Sequence, residues 1–217
     1  MNTNENNEYW TEVKEVKGLW GEFYLNRAMN KTQGAHSYTG EYRKGCAFLF
    51  SRIHIPSYAD KETGEEKTTE IDTLMVSQKG IFVCEVKSWS GKAGIFGEKE
   101  GQRWFQVKAS GERGGNTTGN PFRQNEHHIK YLRRFLSQNY NHAINSVVLL
   151  TDASEQSEGR VNWKGDENIE GLFFNSSEVV DYCNRLPFIL SGDDVRFIAS
   201  KLNQLSHAGN SETGSTK

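Results

Sequence analysis

Asp72, Glu85 and Lys87 are ionisable residues set into runs of apolar ones. In Ile81-Phe82-Val83-Cys84-Glu85-Val86-Lys87 the first four residues are apolar, and Glu85 and Lys87, two apart, share one face of a strand. Asp72 stands thirteen residues before Glu85, near the start of the run Ile71-Asp72-Thr73-Leu74-Met75-Val76. Ionised groups carried into a core are costly unless something neutralises them. A divalent cation and a phosphate would do so, and the chemistry this implies is hydrolysis of a phosphodiester bond. That reaction needs charge offset at the phosphate, a nucleophilic water and a stabilised leaving oxygen, most of which carboxylate-held cations supply. Oxygen-only ligands suit Mg²⁺ or Mn²⁺ better than zinc. Asp72 and Glu85 are the expected ligands, and Lys87 would orient the water or offset charge building on the phosphate. Taken alone, Glu85 and Lys87 also fit an ordinary exposed ion pair worth ~0–1 kcal/mol, so the surrounding chain has to decide.

The elements that would hold these residues follow from pattern. Leu19, Trp20, Phe23 and Leu25 to Met29 recur at helical spacing and place Glu22 beside an apolar stripe. Cys46 to Ile55 alternates poorly but is rich in strand formers, and Pro56 is expected to end it. A charged turn over 60–67 leads to a strand over 69–77, and the turn Gln78-Lys79-Gly80 leads to a strand over 81–88. Such short connections imply an antiparallel meander. Short strands are expected around Ile95 and from Trp104 to Val107, and residues 109–119 read as a glycine-rich mobile loop. Asn120-Pro121 is a helix start, with Phe122, Ile129, Leu132, Phe135 and Leu136 on one side of the helix. His127, Lys130, Arg133 and Arg134 lie largely on the others. Residues 146–151 read as a central strand buried on both faces, with Asp152 capping the loop after it. Leu172-Phe173-Phe174 is a further short strand, and two helices close the domain, one after Ser176 or Ser177 and one from Ser191, with Ser191 and Asp194 as a capping box. The expected organisation is a polar segment over 1–17, one domain over 18–206 and a disordered tail over 207–217.

Composition bounds the rest. The chain has 217 residues, 12% of them aromatic, enough for one sizeable core. A net charge of -2 excludes a generally basic surface, so any nucleic-acid contact must be a local patch. Lys130, Arg133, Arg134 and His128 are the candidates, each also readable as a solvated helix face. Trp89 and Trp104 read as core or sheet-covering residues rather than base-stacking platforms. Cys46, Cys84 and Cys183 are widely separated and form neither a zinc pair nor an even disulfide framework. No signal peptide or membrane span is evident, and a cytoplasmic setting is expected.

Asp-x(12)-Glu-x-Lys in strand context resembles the PD-(D/E)XK nuclease superfamily. Gly21-Glu22, Glu70-Ile71-Asp72, the stretch from Gly80 to Gly91, Trp104 and Asn120-Pro121-Phe122-Arg123-Gln124 are similar to the nuclease-related domain, NERD, over roughly Gly18 to Asp152. The resemblance implies an α/β, restriction-endonuclease-like mixed sheet (helix, three-strand meander, helix, strand) flanked by helices. It also implies a Mg²⁺- or Mn²⁺-dependent deoxyribonuclease. Glu22 matches the helix acid, Asp72 the strand acid, Glu85 and Lys87 the E-x-K pair, and Gln124 the helix glutamine. Asp72 and Glu85 would hold metal with the main-chain carbonyl of Val86, and Glu22 directly or through water. DNA is the expected substrate, with RNA the other candidate. A homodimer and a separate helicase or defence-system partner both stay open. The competing readings are a non-catalytic nucleic-acid-binding module and a nuclease-fold interaction subunit of a larger complex.

Overall fold

The computed structural model describes residues 21–22, 24–29, 47–59, 63–88, 94–107, 113–153, 158–166 and 168–208. Residues 21–22 and 24–29 are helical (α1). Three strands follow, β1 (Phe48–Ala59), β2 (Glu66–Ser77) and β3 (Gly80–Ser88), and then three short ones, β4 (Ile95–Phe96), β5 (Arg103–Val107) and β6 (Arg113–Gly119). After α2 (Pro121–Phe135) come β7 (Ile144–Ala153), β8 (Glu158–Arg160), β9 (Leu172–Phe173), α3 (Ser176–Arg185) and α4 (Gly192–Ala208). Strands β1, β2 and β3 form the antiparallel meander, β7 lies parallel to β3, and β8 and β9 pair with β7. A second sheet contains β4, β5 and β6.

The main sheet is buried on both faces. On one, Ile81, Val83, Leu74 and Ile71 pack against Ile129 and Leu132 of α2 and Val195, Ile198 and Leu202 of α4. On the other, Met75, Phe82, Cys84, Val147 and Leu149 pack against Leu25 and Met29 of α1 and Val179 and Val180 of α3. A third cluster joins Val148 and Leu150 of β7 to Ile95, Trp104 and Phe122 and fixes the small sheet beside α2. This is a mixed α/β sandwich of restriction-endonuclease-like architecture.

One irregularity positions the site. Along β1, Phe48 and Phe50 face α2 and α4, yet further on Ile53 and Ile55 do. The same switch separates Leu74 and Val76 from Ile71 on β2. Simple alternation cannot carry even- and odd-numbered residues to one face. The switch occurs at Arg52, whose φ of 50° is left-handed. Pairing runs from Ser51↔Thr73 to Ile53↔Ile71, leaving Arg52 and Asp72 between. The poor alternation of this segment in sequence is the trace of that kink.

Four expectations are corrected. Pro56 does not end β1, which runs to Ala59. It lies on the edge strand, pairs with Thr68 and precedes a register shift, a place where a missing N–H is tolerated. Residues 113–119 form β6 rather than a loop, pairing with β5 from Arg103↔Gly119 to Val107↔Arg113 across a register shift after Phe105. Asp152 lies within β7, paired with Gly159, and not in a capping loop. Helix α4 runs to Ala208, so His207 and Ala208 are still helical. The expectations for residues 1–20, for Phe23, Cys46 and Trp89 and for the turn at Ser90-Gly91 lie outside the described residues.

Candidate functional site

The capped start of α2 anchors one wall. Asn120 accepts the Phe122 N–H at 2.9 Å, and Pro121 fills the first helical position without a missing bond. The Asn120 amide also donates to the carbonyls of Lys99 (2.7 Å) and Gly101 (2.6 Å), tying the β4–β5 turn to the helix. One turn on, the fully buried Asn125 places its amide across the β3–β7 seam, donating to Val83 O (2.7 Å), Ser146 Oγ (2.9 Å) and Val147 O (3.1 Å). Sequence reading missed Asn125. The signal available was an amide in phase with Phe122, Ile129 and Leu132.

Strand β3 supplies the central charges. Glu85 is 0% exposed. One of its oxygens, Oε1, is ion-paired with Lys87 Nζ, and Oε2 lies 3.2 Å from His128 Nε2. Thr69 Oγ1 is 2.7 Å from His128 Nδ1. A carboxylate only accepts, so His128 donates from Nε2 to Glu85, while its Nδ1 shares a hydrogen bond with the Thr69 hydroxyl. His128 is therefore not the surface phosphate contact expected from sequence. It is 4% exposed and fixes the Glu85 carboxylate from inside the protein.

Asp72 meets the same point from β2. The β2–β3 ladder runs as far as Thr73↔Cys84. At the next step the Asp72 carboxylate replaces a backbone acceptor, and Oδ2 takes the Val86 N–H at 2.8 Å. Asp72 is thus docked between Glu85 and Lys87. Burial chiefly, then the charge of Glu85, pushes its acidity up to about 6, against the bond from Val86 and the charges of Lys87 and His128.

Helix α1 brings Glu22. A Cβ on Gly21 would come within 3.0 Å of Val86 Cγ1 and 3.3 Å of Thr151 Cγ2, so glycine lets the helix press onto the ends of β3 and β7. Glu22 is pushed up to about 7 by burial first and Asp72 second, with Arg52 opposing and Glu70 and Glu85 adding to it. Four carboxylates (Glu22, Glu70, Asp72 and Glu85) thus share one region with two basic side chains, Lys87 and Arg52.

The other expected site residues are more peripheral. Gln124 is exposed on the first turn of α2, one turn before His128. Lys130, Arg133 and Arg134 are exposed and line a groove with Tyr58, Tyr131 and Gln138, away from the Glu85 side of the helix. Lys130 Nζ lies 5.5 Å from the centre of the Tyr131 ring.

Among the described residues, no three His, Cys, Asp or Glu side chains form a ready-made metal cage. A cage is not what Mg²⁺ requires, since it keeps several waters and takes one or two carboxylates plus substrate phosphate. The donor set fits that pattern. Glu85 Oε1 is buried with no well-directed hydrogen bond, only the Lys87 ion pair, and burial first and neighbouring carboxylates second make Asp72 and Glu22 hold protons more tightly than usual.

An uncharacterised Bacillus anthracis protein is 35% identical over 130 residues, which cover 58% of this chain and 50% of that protein. The chain therefore spans about half the length of the curated relative it matches. No solved structure matches it. The nuclease-related domain family matches residues 17–151, which include α1, the whole meander, α2 and most of β7. The chain belongs to the nuclease-related domain family, NERD.

Proposed function

We propose that this protein is a metal-dependent nuclease that hydrolyses phosphodiester bonds in DNA. One observation carries the reading: Asp72 docks on the Val86 N–H, beside a fully buried Glu85 and its partner Lys87. Asp72 and Glu85 would hold Mg²⁺ or Mn²⁺, with the Val86 carbonyl and, directly or through water, Glu22. The cation would act as a Lewis acid on the phosphoryl oxygens.

Each side chain then has a part. Lys87, paired with Glu85 here, would turn its ammonium to the attacking water or the phosphate if Glu85 held a cation. His128, held by Thr69, would keep the Glu85 carboxylate in place whichever partner it has. Water oxygen bonds to phosphorus, the bond from phosphorus to the leaving sugar oxygen breaks, and a proton ends on that oxygen. Gln124, at the exposed edge of α2, would hold a water or a phosphate oxygen. Lys130, Arg133 and Arg134 would touch the backbone farther along the strand, each contributing salt sensitivity.

Purified protein is to be incubated with plasmid, linear DNA and RNA in Mg²⁺, Mn²⁺ or EDTA. Cutting that needs the metal and falls about 10²–10³-fold in Lys87→Ala while binding persists supports the reading. Tight binding without cutting in either metal by a folded sample replaces it with a binding module. Cutting seen only with a co-purified partner assigns the fold to an interaction subunit.

A further inference from the structure

The kink in β1 carries an arginine where glycine would be least strained. A left-handed conformation costs a residue with a Cβ roughly 1–2 kcal/mol, and Arg52 has it at φ 50°. Strained backbone of this kind clusters where a side chain must be aimed. Here the strain sets Arg52 across the strand pair from Asp72, outside the regular ladder.

The surroundings of Arg52 are those of a cation held in readiness. Its Nε–H donates to Glu70 Oε1 at 3.1 Å, and Glu70 Oε2 lies 3.1 Å from His54 Nε2. The Arg52 side chain is 53% exposed, so solvent and ligands reach it. Its charge is felt by Glu22 and Asp72 as well as Glu70. An exposed ion pair with Glu70 contributes at most about 1 kcal/mol, which does not offset the strain. A strand of nucleic acid approaching Glu22, Glu70, Asp72 and Glu85 meets net negative charge, and a planar guanidinium can donate to two phosphate oxygens at once.

We propose that Arg52 binds a phosphate of the nucleic-acid strand beside the Asp72–Glu85 pair, and that Glu70 holds the guanidinium in place until the strand arrives. The nuclease reading supplies the ligand's identity. Arg52 is a substrate-binding residue in this scheme, and Glu70 is a positioning residue that competes with the phosphate.

Arg52→Gly removes the charge and relieves the backbone, so the fold is preserved. Binding of a short labelled DNA duplex is to be followed by fluorescence anisotropy between roughly 50 and 200 mM salt, in Ca²⁺ in place of Mg²⁺. The variant is expected to melt no lower than wild type and to bind about tenfold more weakly, with the salt slope smaller by about one. Glu70→Gln shifts affinity the other way, several-fold tighter, because the guanidinium is released. A purely structural ion pair would move both variants alike or neither. Equal movement of the two, or a wild-type salt slope in Arg52→Gly, overturns the proposal. Cleavage by wild type tests the nuclease reading separately. A cutting wild type with normal binding by Arg52→Gly sinks the arginine alone. A wild type that never cuts, with weakened binding by Arg52→Gly, upholds the phosphate contact and sinks the nuclease.

Discussion

Replacing Lys87 by methionine keeps the length of the side chain and deletes its charge. Glu85, 0% exposed, would then face His128 as its remaining charged or polar partner. Removing one member of a buried pair costs about 3–5 kcal/mol. Lys87 is 26% exposed and His128 stays in place, so the expected loss is smaller, about 2 kcal/mol. For a chain of this size that corresponds to roughly 4–8 °C in Tm. The loss applies in EDTA. With saturating Mn²⁺ the cation no longer has to displace Lys87, so Mn²⁺ should raise the Tm of Lys87→Met further than that of wild type and bring the two together. Glu85→Gln is the control: it removes the buried charge, frees Lys87 to reach water, and should lose the Mn²⁺ shift. Differential scanning fluorimetry of the three proteins, with and without Mn²⁺, reads all of this. A Lys87→Met protein that melts with wild type in EDTA, or gains no more from Mn²⁺, refutes the idea that Glu85 exchanges lysine for metal.

Further outcomes follow from the same structure. Burial and neighbouring carboxylates raise Asp72 to about 6 and Glu22 to about 7, so the folded protein binds protons that the unfolded chain has released. Metal-free stability should therefore fall as pH rises from the ordinary carboxylate range to about 7. Mn²⁺ must displace those protons, so calorimetry should show proton release and tighter binding at higher pH; affinity that is flat from about pH 6 to 8 contradicts this. Asn125→Ala strips the donor from Val83 O and Val147 O at the β3–β7 seam and should cost about 1–3 kcal/mol, read as a lower urea midpoint. Ser191→Ala breaks the capping box, in which Asp194 N–H donates to Ser191 Oγ at 3.1 Å and Ser191 N–H to Asp194 Oδ2 at 3.0 Å. It should cost about 1 kcal/mol without altering metal binding.

How much was legible in sequence depended on whether a residue acts through its own strand or helix or through a distant partner. Glu85 and Lys87 stood out because charge in an apolar strand is unusual, and the turn at Gly80 fixed their register. That glycine is required: its φ is 142° and a Cβ there would meet Asn145 Nδ2 at 2.6 Å. The Ser191–Asp194 box and the Asn120-Pro121 helix start were equally local and hold in the structure. His128 was legible as a neighbour of Gln124's face but not as buried, since its partners, Glu85 and Thr69, lie 43 and 59 residues away. The left-handed Arg52 left only a broken alternation, which does not say which residue turns. Strand β6 was hidden by its glycines, which weaken a strand's own signal but not its pairing with β5. Asn125 is a polar residue whose role exists only once β3 and β7 are side by side.

The claim on which the rest depends is that Asp72 and Glu85 together take a divalent cation that Lys87 now partly replaces. Anomalous diffraction from Mn²⁺-loaded crystals tests it most directly. The expected result is a peak within coordination distance of both carboxylates, with Lys87 drawn off Glu85. Density showing Lys87 still paired with Glu85 at saturating Mn²⁺, with the ion elsewhere or absent, contradicts it.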